Sequence, residues 1–264
     1  MSAARLCLGL FTIIPAGAVP RVDRTTARAA MLLAPIAGVI LGVLAAIVLA
    51  VVLRLIHTSL GALLAAALAI GALAYLTRAL HLDGLADTTD ALGSGRRGEA
   101  ALDIARRGDV GPFGVVAVVL LLVIDIVALA TATAAGIGPI TLVIAVVTGR
   151  LAATVACARG IPAASPTGLG ALVASTVPRS AAVAWVVLIA IASGSTLWWV
   201  SGMVWSASII GVIAVLLGVL VGLALVRRSV ARLGGVTGDV LGAAIECATT
   251  TTLVILALGA SVSA

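Results

Sequence analysis

The sequence predicts an all-α fold. It reads as a polytopic membrane bundle of about seven transmembrane helices with a short N-terminal interfacial helix, in one domain over residues 1–264. Three observations predict this. Hydrophobic residues make up 62% of the chain and charged residues only 10%, with a mean hydropathy of +1.32, whereas soluble domains carry roughly 25% charged residues. Apolar runs of membrane-crossing length recur along the chain, each needing roughly 20 residues to cross a bilayer. Small residues abound among them, and these let membrane helices approach closely, as a packed bundle requires.

Taken in order, residues 5–14 form an apolar run closed by Pro15, too short to cross. Arg5 before it and Ala16-Gly17-Ala18 after it resemble a cleaved leader. Arg21, Arg24 and Arg28 follow at once and would hinder export, so the run is read as an interfacial or re-entrant helix. The first span is expected at about residues 29–53 and the second at about 60–79, with Arg54 and His57 in the turn between them. A long polar connection covers 81–111. Pro112 then starts a helix, since its missing N–H costs nothing in a first turn. Spans three and four are expected at about 113–134 and 140–158, joined by the tight turn 136–139. A connection rich in Gly, Pro, Ser and Thr covers 159–179. Spans five and six follow at about 181–200 and 204–226, then a polar connection over 227–239 and a last span at about 240–258.

Charge placement gives an orientation. The sixteen basic residues are all Arg and fall mainly in connections. The net charge of +6 therefore points to membrane orientation and phosphate binding, with no nucleic acid as partner. The arginine-rich connections share one side, which the positive-inside rule puts in the cytoplasm. Trp185, Trp198, Trp199 and Trp205 lie near span ends, as an aromatic belt requires. Cys7, Cys157 and Cys247 are far apart in apolar sequence and read as small buried hydrophobes.

Chemistry concentrates in three polar motifs on that side. In the first, His81 to Asp90, the carboxylates of Asp83, Asp87 and Asp90 fall at helical offsets that stack them on one face. Left uncompensated they repel one another, and hard oxygen ligands suit Mg²⁺ or Mn²⁺. A solvated acidic helix end is the plainer reading of the same stripe. Arg96, Arg97, Arg106 and Arg107 follow and can bind phosphate oxygens, although setting topology would also explain them. The third motif, Gly234 to Asp239, opens a helix with glycines that permit close backbone approach to phosphate. Glu246 stands seven residues beyond Asp239 on the same helical face, so both acids are expected to reach one site. Asp125, alone in an apolar span, is expected to pair or be protonated inside the bundle. With few charges at depth, the chain reads as an enzyme rather than a carrier.

The string His81-Leu-Asp-Gly-Leu-Ala-Asp-Thr-Thr-Asp90 resembles the signature of the cobalamin synthase (adenosylcobinamide-GDP ribazoletransferase) family. Arg106 to Gly114 resembles its second motif, and Gly234 to Glu246 resembles its C-terminal motif. Leu10-Phe-Thr, Pro15 and Pro20 are similar to its N-terminus. The chain departs from the family pattern at Ala91, at Asp109 (the acid shifted by two positions) and at Thr249. The resemblance implies Mg²⁺-dependent transfer of adenosylcobinamide phosphate from adenosylcobinamide-GDP to α-ribazole or its 5′-phosphate. GMP would leave, and adenosylcobalamin or its phosphate would form at the inner membrane. Asp83, Asp87 and Asp90 would hold metal. Asp83, Arg106, Asp239 and Glu246 would be catalytic, while His81, Arg96, Arg106, Thr237 and Gly238 would bind substrate. Besides the two substrates, the expected partners are membrane lipid and a further copy of the chain. The rival readings are a CDP-alcohol phosphotransferase, whose motif continues differently at Leu85-Ala86, and a small-solute transporter.

Overall fold

The computed structural model describes residues 2–17, 22–56, 58 and 60–263. Pro20, Arg21 and His57 lie outside the described residues. Among the described residues the secondary structure is helical, apart from two isolated bridges, Ala158 with Val177 and Ala163 with Val236. The helices are α1 (Ser2–Phe11), α2 (Arg24–Leu55), α3 (Gly61–Leu76), α4 (Leu80–Gly93), α5 (Glu99–Ala105), α6 (Pro112–Ala134), α7 (Gly138–Ala156), α8 (Gly168–Val173), α9 (Arg179–Val200), α10 (Trp205–Leu233) and α11 (Gly238–Ser263).

Six of them, α2, α6, α7, α9, α10 and α11, are long and apolar enough to cross a membrane. The expected second span is different. It breaks after α3, and α4 leaves at 87°. The elbow consists of Arg78 and Ala79, both left-handed at φ 57° and 54°, a conformation that costs a non-glycine residue roughly 1–2 kcal/mol. Hydrogen bonds hold it: Ala79 N–H donates to the Ala74 carbonyl at 2.8 Å and Asp83 N–H to the Ala79 carbonyl at 2.9 Å. Arg78 also donates to the Gly9 carbonyl of α1 at 2.9 Å, which docks the N-terminal helix on the elbow.

The polar connections are more ordered than the sequence suggested. Residues 81–111 contain α4 and α5, residues 159–179 contain α8, and α10 runs on to Leu233. Each extra stretch buries an apolar stripe against the bundle, including Leu85, Leu92, Ala101, Leu102, Val173 and Leu233.

Helices α7 and α11 form the centre. Of their most apolar stretches 78% and 67% are buried, against 28% to 39% for the other four long helices. Small residues make that centre possible. A Cβ on Gly38 or Gly42 of α2 would stand 2.9 Å from the α7 backbone, at Val147 or Val143. Gly218 and Gly222 of α10 lie as closely against Ala248 and Ala244 of α11. With lipid outside as apolar as the side chains inside, such close packing supplies the association energy. Asp125 of α6 is buried opposite Thr250 and Glu246 of α11, inside the bundle as expected. Cys7 and Cys157 are buried free thiols, and Cys247 is half-buried. Trp199 and Trp205 are 71% and 74% exposed at the α9–α10 turn.

Candidate active site

The acidic stripe is helical, as its spacing predicted, and lies along α4 at the arginine-rich side. Its three carboxylates do different things. Asp83 is exposed and Asp87 half-buried, while Asp90 is buried. The Asp90 carboxylate accepts hydrogen bonds from the backbone N–H groups of Gly111, at 2.7 Å, and Gly114, at 3.0 Å. Those amides open α6, whose first turn has unpaired donors and a positive dipole end. Gly111 and Gly114 are required there: a Cβ on either would fall 2.4 Å or 2.5 Å from an Asp90 oxygen. Asp90 therefore stands apart in its bonding from Asp83 and Asp87, the two acids with which the spacing groups it. Its oxygens are turned to α6, so Asp90 is a capping carboxylate.

Asp239 of α11 comes against the same stretch of α4. Gly84 of α4 packs against the backbone of Asp239, where a Cβ would stand 2.8 Å from both its Cα and its carbonyl oxygen. One turn on, Gly242 of α11 packs against the backbone of His81. This reciprocal glycine crossing lets the two helices touch backbone to backbone and gathers their acids. The charges of Asp83, Asp239 and Asp90 all bear on Asp87, and that of Asp83 bears on Asp239. Among the described residues Asp83, Asp87 and Asp239 form no ion pair. No three His, Cys, Asp or Glu side chains among them converge into a ready-made metal cage. A hard-oxygen pair or trio open to solvent suits Mg²⁺, which keeps several waters and binds through one or two carboxylates plus substrate phosphate.

Two clefts meet at this crossing, sharing Leu169, Gly238 and Asp239. The larger, about 510 Å³, is lined by Arg106 of α5, by Ser165 and Thr167, and by Thr237, Gly238 and Asp239 at the start of α11. Thr237 caps that helix, accepting from Val240 N–H at 3.2 Å and donating to Asp239 at 3.2 Å. Arg106 is exposed and donates to Glu99 at 2.6 Å, a neighbour that raises its pKa further. The smaller cleft, about 190 Å³, is lined by Asp83, His81, Asp239 and the Gly9–Phe11 end of α1. Phe11 covers the His81 ring, with centroids 6.0 Å apart.

Of the remaining expected site residues, Asp87, Glu246 and Arg96 line neither cleft. Glu246 lies about 10 Å deeper along α11 than Asp239, by helical rise, and lines neither cleft. It faces His81 Nδ1 at 3.8 Å, and the fully buried Arg150 of α7 stands 3.5 Å from the same nitrogen. Two helical turns separate Glu246 from Asp239, and Glu246 meets the smaller cleft through His81, which lines it. Arg96 lies in the α4–α5 loop outside both clefts, its carbonyl accepting from Arg232. Two contributors belong to none of the three motifs: Arg150, within the apolar α7, and the 165–170 string, Ser-Pro-Thr-Gly-Leu-Gly, within the 159–179 connection. Its small residues were a usable signal: Gly170 packs against the Val236 carbonyl, closing the cleft on the Gly234–Asp239 motif.

The cobalamin-5-phosphate synthase family model matches residues 3–257. A Frankia casuarinae protein named adenosylcobinamide-GDP ribazoletransferase is 39% identical, covering 98% of this chain and 95% of its own. A Nocardioides protein of the same name is 41% identical, covering 95% and 96%. One from Corynebacterium efficiens is 32% identical, covering 90% and 85%. No solved structure matches. The match takes in α4, α5 and the start of α11 together, and the chain belongs to the cobalamin-5-phosphate synthase family.

Proposed function

We propose that this protein is an adenosylcobinamide-GDP ribazoletransferase, joining adenosylcobinamide phosphate to α-ribazole or its 5′-phosphate at a membrane. The observation that carries the reading is the α4–α11 glycine crossing, which brings Asp83 and Asp239 to one cleft with Asp87 in their field, and through Asp239 joins it to the polar cleft containing Arg106. In the reaction a ribose hydroxyl oxygen bonds to the phosphorus of the cobinamide phosphate. The pyrophosphate P–O bond to GMP breaks, GMP keeps the bridging oxygen, and the hydroxyl proton is released.

Asp83, Asp87 and Asp239 would hold Mg²⁺. The ion, when bound, neutralises pyrophosphate charge and stabilises the leaving phosphate. Arg106 pairs with a phosphate oxygen, exchanging its surface bonds to Glu99 and Asp103 for a charge-assisted one. Thr237 and the first amides of α11 orient the GMP phosphate at a positive helix end. His81, held by Glu246 and Arg150, fixes the wall behind Asp83 and is a positioning residue. The site opens to the cytoplasm in this reading, because the arginine-rich connections surround it.

The test uses purified protein in lipid vesicles with adenosylcobinamide-GDP, α-ribazole and Mg²⁺, following GMP and the corrinoid product. GMP release that needs both acceptor and Mg²⁺ is the expected outcome. Asp83→Asn should cut turnover by at least about a hundredfold, the scale seen when one transition-state electrostatic contact is removed, while inserting normally. Transfer from a CDP-alcohol to lipid, with no corrinoid product, would overturn the assignment.

A further inference from the structure

A third cleft lies away from the acidic crossing. It holds about 450 Å³ between the start of the 159–179 connection, α9 and the polar end of α10. Three arginines line it, Arg159, Arg179 and Arg227, and no acid does. All three are exposed, and among the described residues none has an ion-pair partner. The opposite wall is apolar, with Val155, Leu223, Val226 and Val230.

Two of the arginines are tied to the connection, Arg159 by its backbone and Arg179 by its side chain. Arg159 N–H donates to the Val177 carbonyl at 2.9 Å, and Val177 N–H to the Cys157 carbonyl at 3.0 Å, so the two ends of the connection run side by side. Arg179 Nε donates to the Arg159 carbonyl at 2.9 Å. Its guanidinium lies over Gly160, at φ +96°, where a Cβ would fall 2.5 Å from Nη2. Ser175 accepts from Gly160 N–H at 3.1 Å and donates to the Ile161 carbonyl at 2.8 Å, bracing the same turn. Arg179 is also the first residue of the 22-residue α9, whose N-terminus carries no side-chain cap. Its amides and dipole add to the positive field.

We propose that this cleft binds the phosphate headgroup of an anionic phospholipid, with its apolar wall against the acyl chains. A soluble phosphate would use the arginines and leave the apolar wall unused. A lipid at the end of a transmembrane helix pair satisfies both, and basic pockets between such helices recognise anionic headgroups. The lipid would also anchor the connection whose other part, Ser165 to Gly170, lines the larger cleft at the acids.

The experiment titrates the purified full chain in neutral detergent with phosphatidylglycerol or phosphatidylcholine of matched acyl chains, reading retained lipid by native mass spectrometry. The wild type should hold phosphatidylglycerol selectively. The triple variant R159Q/R179Q/R227Q should lose on the order of a hundredfold in that retention, roughly fivefold per arginine. Arg227→Gln alone, on the exposed surface of α10, should lose about fivefold and serves if the triple variant does not fold. Equal retention of the two lipids, unchanged retention in Arg227→Gln, or displacement of phosphatidylglycerol by millimolar inorganic phosphate would overturn the proposal.

Discussion

Asp90 and Gly84 show how one motif divides its work between chemistry and construction. Asp90 is one of three evenly presented acids in the sequence, yet its oxygens are bound by the first amides of α6. Asp90→Ala should lower stability by about 2 kcal/mol, the combined scale of a lost cap and charge-assisted hydrogen bonds. It should leave the Mg²⁺ concentration for half-maximal activity unchanged in the protein that remains folded. Thermal unfolding and a Mg²⁺ titration separate the two effects, and a shifted Mg²⁺ requirement would return Asp90 to the ligand set. Gly84→Ala acts oppositely. Its methyl would strike the Asp239 backbone, so α4 and α11 must separate, at an overpacking cost of about 1–3 kcal/mol. Activity should fall by more than stability accounts for, because Asp83 and Asp239 move apart together. Turnover per folded molecule reads this directly, and full activity would show that their spacing is immaterial.

At the scale of elements, the α3–α4 elbow decides where the acids go. A straight continuation of α3 would carry the stripe on along the α3 axis. The left-handed pair Arg78 and Ala79 turns it by 87° across the rim instead. Strain of this kind persists only where the surroundings enforce it, here through the Gly9 and Ala74 carbonyls. A β-branched residue tolerates φ > 0 worse than alanine. Ala79→Val should therefore destabilise the protein by about 1–2 kcal/mol, seen as a lowered unfolding temperature. It should also loosen α1, so limited proteolysis ahead of Phe11 should quicken. Unchanged stability would mean that the elbow is not enforced.

Over the whole molecule, the polar clefts gather on one side of a bundle centred on α7 and α11, and the other side has short turns. In the proposed orientation the first side is cytoplasmic. Arg97→Cys in the α4–α5 loop and Val204→Cys in the α9–α10 turn, each in a background without the native cysteines, test this in intact cells. A membrane-impermeant maleimide should label Val204→Cys from outside and reach Arg97→Cys only after permeabilisation. The reverse pattern would invert the topology and place the site outside.

The sequence by itself determined the fold class, the helical acidic stripe and the two flanking motifs, because these are local matters. Hydropathy sets which segments cross, and a 3.6-residue period sets which side chains share a face. It also carried the family, since the motifs recur in order along nearly the whole chain. Tertiary structure decided which acids meet. Asp239 and Asp83 are 156 positions apart, and only the Gly84–Gly242 crossing brings their backbones together. Asp239 and Glu246 share a helical face, yet Asp239 lines the clefts and Glu246 meets them through His81. Asp90 looked like its neighbours until α6 was placed against it. A one-dimensional period fixes direction around an axis, while depth and partner depend on what packs against that axis.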